Sequence, residues 1–375
     1  MLALRLARGS GPLILLRRLL VAVASAGVGL LLLCALGYAV GHPARTAGAG
    51  LRLLGCLVPL AATVRLAAAV ARTDPGIRPS RGAAAAGLGT AGRAVLSAVS
   101  AALTCALGSA VALLLFSHLR HGAGEVRFHG AAPRVPGAGG PLPLPAALLL
   151  LAAVPVAAAV SSACAVRRRR PVPEGSGPRG LTGGTLLILA GLAAEAYGRA
   201  RSGGAALPVP GRFGSGHAVV AAGWSLTALG LAVTAPALAH LCGRVLQSVR
   251  PGAVRLLAGR VLQADSARIG RPLGVCCAVA SGAVAVSLHG AGSRFAGPLP
   301  LLAASLVVAC SAATLLSVTV EARQDRAATT AALVRGFAPA GLARSAAVLR
   351  VAALLVAFAP VTWGVAVLAA TPLSG

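Results

Sequence analysis

Long apolar runs alternate with short polar stretches along the whole chain. Nine runs approach or exceed the roughly 20 apolar residues that a helix needs to cross a bilayer. They cover 19–40, 53–71, 94–116, 145–166, 181–197, 217–241, 273–290, 299–320 and 345–370, and the fifth and seventh are the shortest. The pattern predicts an all-α fold, a polytopic membrane helix bundle of about nine transmembrane helices within a range of eight to ten.

The composition agrees with a membrane protein. Of the 375 residues, 57% are hydrophobic and only 11% are charged, and the mean hydropathy is +0.86. A soluble chain of this length needs a larger polar surface. The formal net charge is +27, but the basic residues fall between apolar runs rather than on one amphipathic face. Membrane lipids, and not nucleic acid, are therefore the expected partners.

The arginines predict the orientation of the chain. With a cytoplasmic amino terminus, the inner segments hold 23 Arg and the outer segments hold 9, which is the bias that cytoplasmic loops show. The RRRR run at 167–170 is expected to anchor this topology and to meet anionic lipid. The usage of Ala, Gly, Arg and Pro is typical of a high-GC bacterial genome, so we expect a multi-pass protein of the bacterial cytoplasmic membrane. The first apolar run is too long for a cleaved signal peptide and is expected to remain.

Several kinds of chemistry are excluded by missing residues. Every one of the 34 basic residues is Arg, and a Walker A loop needs Lys on the phosphates, so any ATP hydrolysis must come from a separate subunit. The chain has no Ser/His/Asp grouping, no HExxH motif and no paired carboxylates in a plausible cleft, so we expect no enzyme, no catalytic residue and no cofactor. The eight cysteines lie in or beside apolar runs without a CxxC pair and are predicted to be packing residues.

Two groups of polar residues are candidate sites. His118, His121, Glu125 and His129 have the residue types that bind zinc or copper, but a Gly/Pro-rich loop holds ligands poorly, so we expect a solvated loop and no metal. Glu195 lies inside an apolar run, where acids are candidates for function. Two interpretations stay open for it: an interfacial ion pair with Arg199, one helical turn later, or part of a substrate or proton path.

A short motif occurs twice, each time between two apolar runs on the predicted cytoplasmic side. GLGTAG at 87–92 and GFAPAG at 336–341 are 249 residues apart, and each follows a charged stretch and an Ala-rich stretch. We name the segments that contain them elbow 1 (72–93) and elbow 2 (321–344). GLGTAG also matches the dinucleotide fingerprint G-x-G-x-x-G, but no strand precedes it and no acid follows at the required distance. The recurrence indicates a duplicated unit instead.

The elbows resemble the cytoplasmic segment of the FtsX-like (MacB/BceB-type) family of ABC transporter permeases, which has the form E-R-x-x-E-x-A-x-L-x-x-L-G-A. The resemblance covers the two elbows and their flanking spans. Elbow 1 keeps Gly87, Leu88 and Gly89, with Asp74 as its only acid. Elbow 2 fits the pattern at Glu321, Arg323, Asp325, Ala328, Leu333, Gly336 and Ala338.

The resemblance implies two FtsX-like units, and the predicted outer loops are too short for the large extracellular domain that many members of the family carry. The implied segments are the amino-terminal tail and first span (1–41), a first unit (53–166), a linking helix pair (181–241), a basic cytoplasmic segment (243–272), a seventh span (273–290) and a second unit (299–375). It also implies a permease subunit whose elbows dock on two ABC ATPase subunits. The alternatives are a secondary transporter with internal repeats and a non-transporting membrane signalling partner.

Overall fold

The computed structural model describes residues 12–41, 46–73, 89–121, 143–167, 178–201, 215–248, 252–288, 298–325 and 341–370. Within these residues it contains nine α-helices and no strand, which confirms the all-α prediction. The helices are α1 (Pro12–Gly41), α2 (Thr46–Thr73), α3 (Thr90–His121), α4 (Leu144–Arg167), α5 (Pro178–Arg201), α6 (Ser215–Ser248), α7 (Ala253–Leu288), α8 (Pro298–Asp325) and α9 (Gly341–Ala370).

Eight of these described helices are long and apolar enough to cross a membrane. The exception is α7, whose apolar half, 273–288, has only 16 residues, fewer than the roughly 20 that a span needs. Its amino-terminal half is charged and carries Arg255, Arg260, Arg268 and Arg271. The seventh apolar run therefore belongs to a helix that is longer and more polar than the run itself.

The outer surface of the helices is apolar, as expected for contact with lipid. Leu149 is 77% exposed and Val356 is 76% exposed, and many other large apolar side chains share this exposure. In water, an apolar surface of this extent would drive association. In hydrocarbon it is the favourable surface, while the helices satisfy their own backbone hydrogen bonds. The chain is therefore a multi-pass membrane protein.

The basic segment 243–272 differs from the connection that its polarity predicts. Helix α6 continues through it to Ser248, and α7 already begins at Ala253, so the segment forms the connected ends of a helical hairpin. Only four residues separate the two helices, and a connection this short is typical of helices that pack side by side in antiparallel directions. The hydropathy of the segment is too low for a span, but a helix supported by a neighbour needs no apolar run.

Unit 1 is one of two compact units and consists of Met1–Arg169 and Ala296–Thr314. It contains α1 to α4 and the first part of α8, and it includes the whole of the predicted first FtsX-like unit. Helix α1 is central: buried Val28, Leu32 and Ala35 pack in one cluster with Cys105 of α3 and Val154 of α4. The hydroxyl of Ser25 donates a hydrogen bond to the Cys105 carbonyl oxygen at 2.8 Å, which ties α1 to α3.

Unit 2 consists of Arg170–Phe295 and Leu315–Gly375. The residues of the predicted second FtsX-like unit occur in both compact units, because the first part of α8 belongs to unit 1. Helix α6 is the centre of unit 2 and packs on α5, α7 and α9. Its Leu231 meets Ala278 and Val365, and its Ala235 meets Cys277 and Phe358.

Helices α5 and α6 approach so closely that glycine is required at the contact. A methyl group placed on Gly184 would lie 2.9 Å from the backbone nitrogen of Thr234 and 3.1 Å from the carbonyl oxygen of Gly230. One placed on Gly191 would lie 2.6 Å from the backbone nitrogen of Thr227. Small residues at this spacing let helix backbones pack directly against each other in a membrane.

Five of the eight cysteines pack as the sequence predicts, whereas Cys242 and Cys276 are half-buried and Cys164 is exposed. All eight lie in the described residues and none forms a disulfide. Five of them are buried: Cys34, Cys56, Cys105, Cys277 and Cys310. They contribute small apolar side chains to helix contacts.

Adjacent glycines on α5 provide a matched test of the close contact. Gly184→Ala should lower the free energy of unfolding by about 1–3 kcal/mol, because the added methyl group meets backbone atoms that cannot move aside. Gly183→Ala meets nothing within 4 Å and should leave stability unchanged or raise it by up to about 1 kcal/mol. Reversible unfolding in detergent measures both, and equal stabilities would contradict the close contact.

The position of the carboxyl terminus tests whether α7 crosses the membrane. Gly270 of α7 lies against Pro236 of α6, and Gly282 lies against the ring of Trp224, so α7 follows α6 along its apolar part. We therefore expect it to cross. An alkaline phosphatase fusion after Ala370 should then be active, like a fusion within 202–214 and unlike one within 168–177. An inactive fusion after Ala370, with the two controls as expected, would show that α7 does not cross.

Candidate functional site

The helices that flank the two elbows end and begin at matching positions. Helix α2 ends at Thr73 and α8 ends at Asp325, 252 residues later. Helix α3 begins at Thr90 and α9 begins at Gly341, 251 residues later. Both spacings are close to the 249 residues between the two motifs. The repeat seen in the sequence therefore extends to the helix boundaries on both sides of each elbow.

The structure describes only part of the predicted elbow site. Glu321 is half-buried and Arg323 is exposed, both in the last turns of α8, and Asp325 is the final residue of that helix. Gly89 is exposed, and its carbonyl oxygen accepts a hydrogen bond of 3.2 Å from the backbone N–H of Arg93 at the start of α3. Outside the described residues are Gly87, Leu88, Leu333, Gly336 and Ala338, and the side chain of Asp325.

Helix α8 extends past the predicted end of its apolar run at residue 320. Glu321 and Asp325 are therefore on a helix, four residues apart, so they are neighbours on one face. Two like charges at this spacing disfavour the helix by a few tenths of a kcal/mol. Arg323 lies two residues from each and is not on that face. Two acidic positions therefore lie about one helical turn apart at the start of elbow 2.

Glu195 is buried between α5 and α6 and is only 2% exposed. The hydroxyl of Thr227 lies 3.1 Å from its Oε1 atom, and it also lies 3.0 Å from the carbonyl oxygen of Gly223. The side chain of Arg199, its predicted ion-pair partner, is outside the described residues. Thr227 is a partner that the sequence analysis did not identify, because it lies 32 positions away on another helix.

The place of Glu195 depends on a glycine. A methyl group on Gly223 would lie 2.8 Å from the Cγ atom of Glu195, so any larger residue would displace the carboxyl side chain. The carboxyl group is thereby enclosed by protein instead of facing lipid. An enclosed acid with a hydroxyl partner satisfies the usual requirement for an acid inside a membrane protein.

Unit 1 contains a small cavity near the helix ends of elbow 1. It has a volume of about 20 Å³, enough for one water molecule. Its walls include Arg18 of α1, Ala71 of α2 and Ser97 of α3. Ser97 is fully buried, and its hydroxyl has no hydrogen-bond partner among the described residues. A buried hydroxyl without a partner is costly and uncommon.

The α6–α7 hairpin contains an identical pentapeptide on each helix, which the sequence analysis missed. GRVLQ occurs at 243–247 and again at 259–263, and the two copies face each other. A methyl group on Gly243 would lie 2.7 Å from the Cγ atom of Gln263, and one on Gly259 would lie 2.6 Å from the Cγ atom of Gln247. Each glutamine therefore crosses over the glycine of the opposite helix. The sequence shows the two identical pentapeptides at an offset of 16 residues, but not that they contact each other.

The same hairpin forms an open groove of about 460 Å³. Five polar residues line it: His240, Arg244, Gln247, Ser248 and Gln263. The amide nitrogen Nε2 of Gln247 is buried and has no hydrogen-bond partner among the described residues. We call this feature the Arg244 groove.

The structure describes only the first part of the predicted His-rich segment. His118 is exposed near the end of α3. The side chain of His121, and both Glu125 and His129, lie outside the described residues. Within the part of the chain that the structure describes, no three His, Cys, Asp or Glu side chains are grouped as a metal site requires.

Comparison with known proteins gives no relative. No family model, no curated protein and no solved structure matches this chain.

Two buried serines of unit 1 test whether the cavity at Ser97 is dry. Ser25→Ala removes the hydrogen bond to Cys105 and should lower the free energy of unfolding by about 0.5–1.5 kcal/mol. Ser97→Ala removes a buried hydroxyl without a partner, so stability should stay equal or rise. Unfolding in detergent compares the two. If Ser97→Ala costs as much as Ser25→Ala, the hydroxyl has a partner, such as a water molecule in the cavity.

Proposed function

We propose that the chain is the membrane permease subunit of an ABC transporter, working with a separate ATPase in the bacterial cytoplasmic membrane, with its amino terminus in the cytoplasm. The observation that carries this proposal is the repeated elbow. The motif, the charged stretch before it and the ends of the flanking helices all recur in a second part of the chain, 249 to 252 residues later. The resemblance of both elbows to the coupling segment of FtsX-like permeases supplies the mechanism.

In the proposed mechanism, energy enters this chain from an ATPase partner. Without Lys, the chain has no Walker A loop. The elbows are the segments best placed to receive force from an ATPase subunit. Helices α2 and α3, which flank elbow 1, both pack on α1 and α4 more extensively than on each other. Movement of the elbow would therefore be passed to α1 and α4 through packed, rigid helices.

The two elbows differ in charge. Elbow 2 begins with Glu321 and Asp325 on one helix face, whereas elbow 1 has only Asp74. If the ATPase partners are two identical subunits with a basic docking surface, elbow 2 binds that surface more tightly than elbow 1 does. One chain with two elbows would then engage two ATPase subunits with unequal strength.

One observation favours a second candidate function. Glu195 is an enclosed carboxyl group with a hydroxyl partner inside a membrane span, and such groups are used by secondary transporters to bind protons or ions. A secondary transporter needs no ATPase. A non-transporting signalling partner would use the elbows to transmit a signal and would carry no substrate.

Matched charge changes inside and outside an elbow test the coupling role. Glu321→Gln should reduce binding of the ATPase encoded by a neighbouring gene, and its stimulation, by about tenfold, because a charge-assisted contact is lost. Glu125→Gln makes the same change in the predicted outer loop and should alter neither. Co-purification and ATPase assays of the co-expressed proteins provide the measurements.

Two outcomes would contradict the proposal. If Glu321→Gln and Gly336→Leu both leave the ATPase bound and fully stimulated, the elbows do not couple. If the purified chain alone transports a substrate on an ion gradient, the secondary-transporter function is the correct one.

A further inference from the structure

The Arg244 groove has no role in the proposed coupling mechanism, and its chemistry points to a ligand. The guanidinium group of Arg244 carries five N–H donors and no acceptor, and the side chain is exposed. The Nε2 donor of Gln247 is buried there without an acceptor. A ligand rich in acceptor oxygens would accept hydrogen bonds from both groups, and a negative charge on it would strengthen the bonds to the guanidinium.

Among the described residues that line the groove, no carboxylate opposes an anion. The five lining residues contain no Asp or Glu. Asp265 is buried on α7, but it lies two residues after Gln263 and so about 200° further round the helix. Ser248 uses its hydroxyl hydrogen on the carbonyl oxygen of Val245 at 3.0 Å. The available donors are thus Arg244, the two glutamine amides and His240.

The groove lies at the depth of lipid headgroups. Gly180, near the start of α5, is opposite Ala237 of α6: a methyl group on it would lie 3.9 Å from the Ala237 Cβ atom. The α5 span begins at this level. At 1.5 Å per residue, His240 and Arg244 are about 5 Å and 10 Å further along α6. The headgroup layer on each side of the hydrocarbon core is roughly 5–8 Å thick, so His240 lies within it and the long Arg244 side chain can reach back into it.

Apolar side chains beside the groove favour a lipid over a soluble anion. Val245, the neighbour of Arg244, is 58% exposed, and Leu241 is also exposed one turn earlier. These two residues form an i, i+4 ridge along α6, next to the ridge of His240, Arg244 and Ser248. An acyl chain would cover the apolar ridge, while a free anion in water would leave it exposed.

We propose that the Arg244 groove binds the phosphate group of an anionic phospholipid, with an acyl chain along Leu241 and Val245. The facing GRVLQ copies build the site. Gly243 and Gly259 bring the helices together, and Gln247 and Gln263 cross the contact to reach the same groove. The lipid holds the end of the hairpin at the membrane surface on the Arg-rich side.

Native mass spectrometry of the purified full chain tests this site. Phosphatidylglycerol is titrated against the wild type, Arg244→Gln and Arg271→Gln. Arg271 is also exposed on the hairpin but does not line the groove, so its variant controls for the loss of one charge. We expect Arg244→Gln to weaken the tightest phosphatidylglycerol binding by about tenfold or more. Arg271→Gln should change it less than twofold.

Three results would overturn the site. One is equal weakening in both variants, which would indicate diffuse attraction to the net charge. Another is no weakening in Arg244→Gln. The third comes from a nanodisc of phosphatidylcholine alone: if inorganic phosphate binds there and Arg244→Gln abolishes that binding, the groove takes a free anion. A negative result for lipid binding in the groove leaves the elbow assays unaffected, so the two proposals are tested separately.

Discussion

Direct contact between helix backbones is the interaction on which both units depend. Lipid is as apolar as leucine, so burial of apolar surface gives little drive for helices to associate in a membrane, and close packing has to supply it. In unit 1, a methyl group on Gly108 of α3 would lie 2.8 Å from the Cβ atom of Ser25 of α1. In unit 2, the glycines of α5 and α6 face the opposite backbone in the same way. The larger apolar side chains are left to face lipid.

The same contacts decide where polar groups can enter the interior. Glu195 lies opposite Gly223, and Gln247 and Gln263 lie opposite Gly259 and Gly243. In each pair, the missing side chain of glycine makes the space that the polar side chain occupies. Both features outside the elbows, the enclosed carboxyl group and the Arg244 groove, therefore result from packing. Neither belongs to a loop.

The proposed functions give the elbows and the α6–α7 hairpin different roles. The elbows join separate helices at matched ends and suit a protein partner that pushes on them. The α6–α7 hairpin is continuous with two long helices and suits an attachment to lipid. A permease that is pushed at its elbows needs a part that stays at the membrane surface, and a lipid held in the groove would supply it.

The sequence by itself determined the helices and their order, because a bilayer imposes a minimum apolar length and obliges each spanning backbone to form its own hydrogen bonds. It also showed the elbow repeat, since motif and charge recur at one offset. It did not show that 243–272 is helical, because that helix is supported by its neighbour and not by its own hydropathy. Tertiary structure alone decided that Thr227 meets Glu195 and that the two GRVLQ copies face each other. Those pairs lie on different helices, and their contact follows from how closely glycine lets two backbones approach.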